Sequence, residues 1–173
     1  MWTTKQSCTE CSTCCIFEES EAYFAPIFTK DEANHIKTKT KGKFSDMFQT
    51  YKKSKNVFQI KLIRSKKNKS VYMCPFLDEN RHTCKIYSIR PIDCKIWPLI
   101  VMWDKTHKKT QLVCYSKETC YITDKMSKND FDLFIKKLVD FFKKSKFIRV
   151  YRKYPDLVWD YEDDTEFLED LDI

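Results

Sequence analysis

A small α+β fold is what this 173-residue sequence predicts: one domain in which short antiparallel strands and two or three helices surround a cysteine-ligated metal centre. Three observations carry that expectation. Four cysteines stand close together, Cys8, Cys11, Cys14 and Cys15, in the spacing CxxCxxCC. A CxxC step reverses the chain and aims both sulfurs at one metal ion. An alternating apolar run at 57–64 and a short apolar run at 111–115 read as strands, and a three- and four-residue periodicity from Phe131 to Phe142 reads as a helix.

Size and composition narrow the possibilities. A chain this long buries most of its unfolded surface. Thirteen Phe, nine Tyr and four Trp promise an aromatic core. The domain is expected over 1–155, with 156–173 as an acidic C-terminal extension. A single glycine, Gly42, excludes the Gly-rich phosphate loops of nucleotide-binding motifs. No apolar run follows the first residues and no window is long enough for a membrane span, so cytoplasmic localisation is expected. In that compartment thiols stay reduced, and nine cysteines, an odd number, read as metal or redox chemistry instead of disulfides.

Taken in order, the first regular element is a helix over 30–37, started by the Thr29-x-x-Glu32 capping box. A strand over 57–64 and a partner over 70–73, joined by a turn at 66–68, would form a hairpin that delivers Cys74 to the N-terminal cluster. Pro91 and Pro98 restrict any helix around Cys94 to about two turns. A second hairpin is expected from 100–103 and 111–115, carrying Cys114 on its returning arm. Ser127 and Asp130 cap the long helix, whose stripe of Phe131, Phe134, Ile135, Leu138 and Phe142 faces the core.

Several metal readings are open on spacing alone. Cys8, Cys11 and Cys14 form the C-x2-C-x2-C run of a four-iron cluster, with Cys74-Pro75 as the remote fourth ligand. Four thiolates also suit structural zinc. Four per centre divides nine into two sets and one spare, the second set being Cys84, Cys94, Cys114 and Cys120. Cys114 and Cys120 read equally as buried free thiols. Adjacent side chains diverge, so Cys14 is expected to ligate the first centre, and Cys15 to bridge to the second set or pack as a neutral thiol. A radical S-adenosylmethionine centre is disfavoured, because CxxxCxxC is absent: position 18 is Glu18. His35, His82 and His107 lie in polar stretches, and His82 is the one placed to ligate a metal.

The blocks C8xxC11xxC14C15, Cys74-Pro75-Phe76-Leu77, Cys84-Lys85-Ile86-Tyr87 and Arg90-Pro91-x-x-Cys94 resemble, in order, the CxxCxxCC zinc- or iron-chelating domain family, the YkgJ-type cysteine-cluster proteins. The resemblance implies a metal or iron–sulfur centre held by cysteines, with a 4Fe–4S cluster the first expectation and zinc the alternative. It says little of the reaction. A related group, the flagellin lysine N-methylases, is associated with protein methylation, which makes a protein-modifying enzyme a third reading. Arg90 would offset thiolate charge and donate to sulfur, or else be a surface arginine at a turn.

Charge is segregated. Between Ile36 and Ser70 eleven Lys and one Arg face a single acid, Asp46, while 156–173 holds nine acids and no base. Lysines interleaved with Phe44, Phe48, Tyr51 and Phe58 allow nucleic-acid binding with base stacking. The acidic extension, with Trp159 and Phe167 to bury, is expected to dock on this chain or on a partner. A protein or redox partner is expected for a cluster that serves electron transfer or protein maturation.

Overall fold

A computed structural model of the chain describes residues 13–119, 121–160 and 164–173. The chain forms two compact units, Met1–Lys95 and Ile96–Ile173. The first contains β1 (Ile16–Phe17), β2 (Ile27–Thr29), α1 (Lys30–Lys39), β3 (Phe48–Thr50), β4 (Val57–Ile60), β5 (Ile63–Arg64), β6 (Tyr72–Met73), β7 (Leu77–Asp78), β8 (Thr83–Cys84) and most of the short helix α2 (Ile92–Ile96). These strands form three small antiparallel sheets, ordered β2-β4-β3, β1-β6-β5 and β7-β8.

Helix α1 starts where its capping box lies: Thr29 Oγ1 accepts the Glu32 N–H at 3.1 Å, and Glu32 Oε2 accepts the Thr29 N–H at 2.9 Å. The run at 57–64 is two strands. After Ile60 the Lys61 N–H turns to the Met47 carbonyl at 2.7 Å, so β4 stays with β2 and β3 while β5 pairs with β6. Between β3 and β4, Ser54 N–H donates to the Tyr51 carbonyl at 2.7 Å across Lys52 and Lys53, whose φ values are 46° and 60°. That is a type I′ turn, normally given to Asn or Gly, made here with two lysines.

The core of this unit is apolar and aromatic. Phe28, Ile36, Ile60, Phe76 and Ile86 are buried at its centre, with Phe44, Phe48 and Phe58 half-buried against them. Edge-on contacts join Phe28 to Phe48 at 5.2 Å and Phe44 to Phe76 at 4.8 Å between centroids. Each fully buried Phe or Ile contributes about 1.5–3 kcal/mol. This corrects the expected fold: the α+β character is present, but among the described residues no group of three or more His, Cys, Asp or Glu side chains is placed to hold a metal ion. Hydrophobic packing organises the unit, and Cys74, Cys15 and Cys84 join that packing as small apolar groups.

In the second unit the hairpin of β9 (Leu99–Asp104) and β10 (Lys109–Tyr115) lies at the middle of a four-stranded sheet ordered β11-β9-β10-β12. Strand β11 (Trp159–Asp160) is parallel to β9, and β12 (Thr165–Leu171) is antiparallel to β10, with an irregularity at Leu112/Val113. Helix α3 (Tyr121–Asp124) is one turn long. Helix α4 (Lys128–Lys144) begins at Ser127, whose Oγ accepts the Asp130 N–H, and buries Phe131, Ile135, Leu138 and Phe142. Helix α5 (Phe147–Lys153) follows and places Tyr151 6.1 Å from the Phe142 ring.

The acidic extension is therefore ordered in part as β12. Asp170, Glu169 and Asp172 pair with Lys109, Lys143 and Arg152 at 2.5, 2.6 and 3.1 Å. Trp159 is buried as expected, whereas Phe167 is 59% exposed. No helix among the described residues is long and apolar enough to cross a membrane.

Candidate functional site

Cysteines converge in the first unit through strand pairing. Cys14 and Cys15 end the one-turn helix Thr13–Cys15, which runs directly into β1. β1 pairs with β6 in the register Ile16↔Met73, and the ladder continues one residue further as Cys74 N–H donates to the Cys15 carbonyl at 2.8 Å. The expected hairpin of β5 and β6 thus brings Cys74 beside the end of the N-terminal run.

Cys84 arrives by a second local device. After Cys74 the chain turns, with Leu77 N–H donating to the Cys74 carbonyl at 2.9 Å, and β7 pairs with β8 in the register Leu77↔Cys84. Asp78 Oδ1 accepts the N–H groups of Asn80 and Arg81, which shapes the turn between them. Lys85 Nζ ties the base of this hairpin by donating to the carbonyls of Leu77 and Pro75 at 3.0 and 3.3 Å. His82 is exposed at the tip, in the left-handed region at φ 49°.

Cys94 lies in α2, which two carboxylates fix. Glu32 Oε1 accepts the Ile92 N–H, and Asp93 Oδ2 accepts the Ile27 N–H at 3.1 Å. Sequence reasoning found Glu32 as a cap but missed this remote role, and it missed Asp93. The only signal was a carboxylate immediately before Cys94. Arg90 is 5% exposed, with its guanidinium 4.1 Å from the centre of the Tyr87 ring, so it is a buried stacked cation and not a surface residue.

Electrostatics register the gathering of these thiols. Burial pushes Cys74 up to about 12, with Cys84 and Cys14 adding to the rise. Cys94 is raised well above an ordinary thiol by burial first, then by Asp93, Cys14, Cys74 and Cys84. A hydrogen bond with Cys14 lowers Cys15, but burial and the fields of Cys74, Cys94 and Cys84 outweigh it, and Cys15 is raised overall. In the absence of a metal ion, burial and neighbouring thiols thus favour the neutral form of all three, which disfavours nucleophilic chemistry. A soft cation among them would reverse the balance by stabilising thiolate.

The structure thus brings Cys14, Cys15, Cys74, Cys84 and Cys94 into one another's field. Cys114 belongs to the second unit, where its buried thiol donates to the Tyr115 carbonyl at 3.1 Å. Cys8, Cys11 and Cys120, all expected as ligands, lie outside the described residues. The donor set fits zinc or iron, both of which thiolates bind well.

A second polar cluster, not anticipated from sequence, lines a cavity of about 420 Å³ beside the β9–β10 hairpin. There His107 Nδ1 and Asp104 Oδ2 are 2.5 Å apart, and Gln111 Nε2 donates to Asp104 at 3.3 Å and to Asp170 at 3.4 Å. Asp104 also accepts the N–H groups of Thr106 and His107, so this cluster first serves to close the hairpin turn.

No curated protein and no solved structure matched the chain. The sequence profile described as "CxxCxxCC: putative zinc- or iron-chelating domain" matches residues 7–131, well over half of the chain and every cysteine in it. The matched span contains the converging thiols and the elements that carry them, and the chain belongs to the CxxCxxCC zinc- or iron-chelating domain family.

Proposed function

We propose that this chain binds an iron–sulfur cluster through cysteines of its first unit and serves electron transfer or the maturation of a protein partner. The observation that carries the reading is the approach of Cys14, Cys15, Cys74, Cys84 and Cys94, from four separate segments, into a neighbourhood where burial and the fields of neighbouring thiols raise Cys15, Cys74 and Cys94. Isolated buried thiols would be inert packing. Five in one neighbourhood, beside a run with Cys8 and Cys11 at ferredoxin-like spacing, are a supply of soft ligands.

Cys8, Cys11 and Cys14 would supply the run and Cys74 the remote ligand, with Cys84 and Cys94 available to a second centre or as alternatives. When bound, such a cluster supplies a one-electron couple tuned by burial and by hydrogen bonds to sulfur. The chain's own residues do the rest. Phe76 and Leu77, both buried, exclude water beside Cys74. Lys85 holds the β7–β8 hairpin, and Glu32 and Asp93 hold α2. Binding draws the sulfurs together and releases their protons, so loading becomes more favourable as pH rises.

Anaerobic isolation of the whole chain tests the reading. Iron and acid-labile sulfide bound in stoichiometric amounts, with visible thiolate-to-iron absorption, are expected. Colourless protein with one tightly held zinc per chain would assign a structural zinc module instead, and absence of both metals after reconstitution would overturn metal binding itself.

A further inference from the structure

We infer that the lysine-rich surface of the first unit binds the phosphate backbone of double-stranded nucleic acid without reading its sequence. Of the eleven lysines and one arginine between Ile36 and Ser70, all but Lys37 are exposed, and the one acid in that segment is Asp46. The cations ride on the C-terminal turn of α1 and the segment that follows it to Lys43, the β3–β4 connection, and the stretch from Lys61 through β5 to Lys69. Such density repels itself, and a regular polyanion relieves that repulsion while releasing its own condensed counterions.

Two features of the surface choose the partner. Three of the four aromatic rings that alternate with the lysines, Phe44, Phe48 and Phe58, pack on the core, and the fourth, Tyr51, is half-buried with Lys52 Nζ 5.3 Å from its ring centre. Lys37 Nζ also sits 5.4 and 5.9 Å from the centres of the Phe48 and Phe58 rings. Few stacking platforms for unpaired bases are thus open, which favours a duplex, whose charge is denser and whose bases stay inside. Large exposed apolar residues in this unit are also few, Tyr23 and Ile63 among the described residues. A protein interface needs an apolar or aromatic centre and a membrane-bound surface needs an apolar anchor, whereas a nucleic-acid interface is polar and positive.

The local backbone agrees. Lys52 and Lys53 fill both left-handed positions of the type I′ turn, where Asn-Gly is the relaxed choice, so charge is kept at the hairpin tip against conformational preference. Arg64 is braced by donating to the Lys69 carbonyl and to the Tyr72 hydroxyl, at 2.5 and 2.6 Å, and by stacking 4.7 Å from the Tyr72 ring centre. Glu79 holds the neighbouring loop by accepting from Ser65 Oγ and from the Lys66 and Lys67 N–H groups. Cations held in this way lose less freedom when they meet a phosphate.

The test is fluorescence anisotropy with the metal-loaded full chain and labelled DNA duplexes of two unrelated sequences, the matching single strand, and anionic phosphatidylserine vesicles. Expected is saturable duplex binding at low salt, equal for the two sequences, tighter than for single strand, and absent on vesicles. The triple variant K53E/K55E/K69E should bind at least ~10-fold more weakly, with a log–log salt slope shallower by about 2 to 3, from roughly 0.9 per phosphate contact. K105E/K128E/K136E, with the same change in net charge on the second unit, should bind within ~2-fold of wild type at moderate salt. Lysine acetylation of wild type is the check that needs no variant: duplex should protect Lys53, Lys55 and Lys69 but not Lys105, Lys128 or Lys136. No saturable duplex binding, tighter binding to single strand or to vesicles, equal loss in both variants, or protection on the second unit would each overturn the proposal.

Discussion

Glu32 accepts the backbone N–H of Ile92 at 2.7 Å with one carboxylate oxygen, while its other oxygen closes the capping box on Thr29 at 2.9 Å. One side chain thereby fixes the start of α1 and the start of the helix that carries Cys94. Glu32→Ala removes a cap and a charge-assisted bond to a remote backbone donor, and should cost about 2 to 3 kcal/mol. Glu32→Gln keeps one acceptor and should cost roughly half as much. Urea denaturation checks the pair. If Glu32→Ala is as stable as wild type, the link to α2 is unimportant.

The adjacent thiols Cys14 and Cys15 are predicted to behave differently. Cys15 packs on the core and its carbonyl is bound by Cys74, whereas Cys14 is the member in step with Cys8 and Cys11. Cys14→Ala should lose the proposed first metal centre, whichever of iron or zinc fills it. Cys15→Ala should keep a metal centre but lose about 1 kcal/mol of stability, the order expected for a small buried group. Metal analysis of both variants, prepared anaerobically beside wild type, decides it; the reverse pattern would exchange their roles.

Cys114 hydrogen-bonds to its own neighbour's carbonyl inside the second unit's sheet. Cys114→Ala should therefore retain full metal content and soften only its unit, by about 1 kcal/mol. Loss of metal in this variant would show that the trailing cysteine is a ligand after all.

Acid should loosen the β9–β10 hairpin. The Asp104 carboxyl is lowered first by the hydrogen bond from His107, then by the His107 and Thr106 N–H groups, against the effect of burial. Asp170 is lowered likewise by Lys109. A carboxyl with a depressed folded-state pKa stabilises above its unfolded value of about 3.9, and that stability is lost as pH falls through the folded value. Thermal unfolding followed from neutral pH to below ~4 should show the loss in wild type and a smaller loss in Asp104→Asn. Parallel curves would refute the assignment.

Removing β12 should uncover one edge of β10 and break the pairs to Lys109, Lys143 and Arg152. A chain ending after residue 163 should melt earlier and aggregate through the bared edge. Size-exclusion chromatography after mild heating distinguishes this from a dispensable tail.

Local chemistry explains what could be read in advance. Thr29 and Glu32 announce α1, Ser127 and the apolar stripe announce α4, and short apolar runs on either side of the polar residues 104–110 announce the β9–β10 hairpin, because in each the pattern lies within one segment. The break of 57–64 into β4 and β5 was hidden, since the Met47 carbonyl that redirects Lys61 comes from elsewhere in the chain. β12 was hidden for another reason: its apolar residues do not alternate, and backbone pairing plus three ion pairs hold it where a buried face would ordinarily be required. The thiol-rich neighbourhood was half legible. Spacing identified the cysteines, but the seating of Cys94 depends on Glu32 and Asp93 reaching β2 and α2 from across the unit, which no motif encodes.

The register of β1 on β6 also fixes an order of events during synthesis. Ile16 meets Met73 only by closing a loop of nearly sixty residues, an entropic cost that rises slowly with length but delays the contact. A growing chain therefore displays its dense N-terminal cysteines long before Cys74, Cys84 and Cys94 emerge. In that interval the early thiols are open to any thiophilic ion, so for the proposed centre the timing of delivery would bear on metal choice alongside the affinity of the finished site.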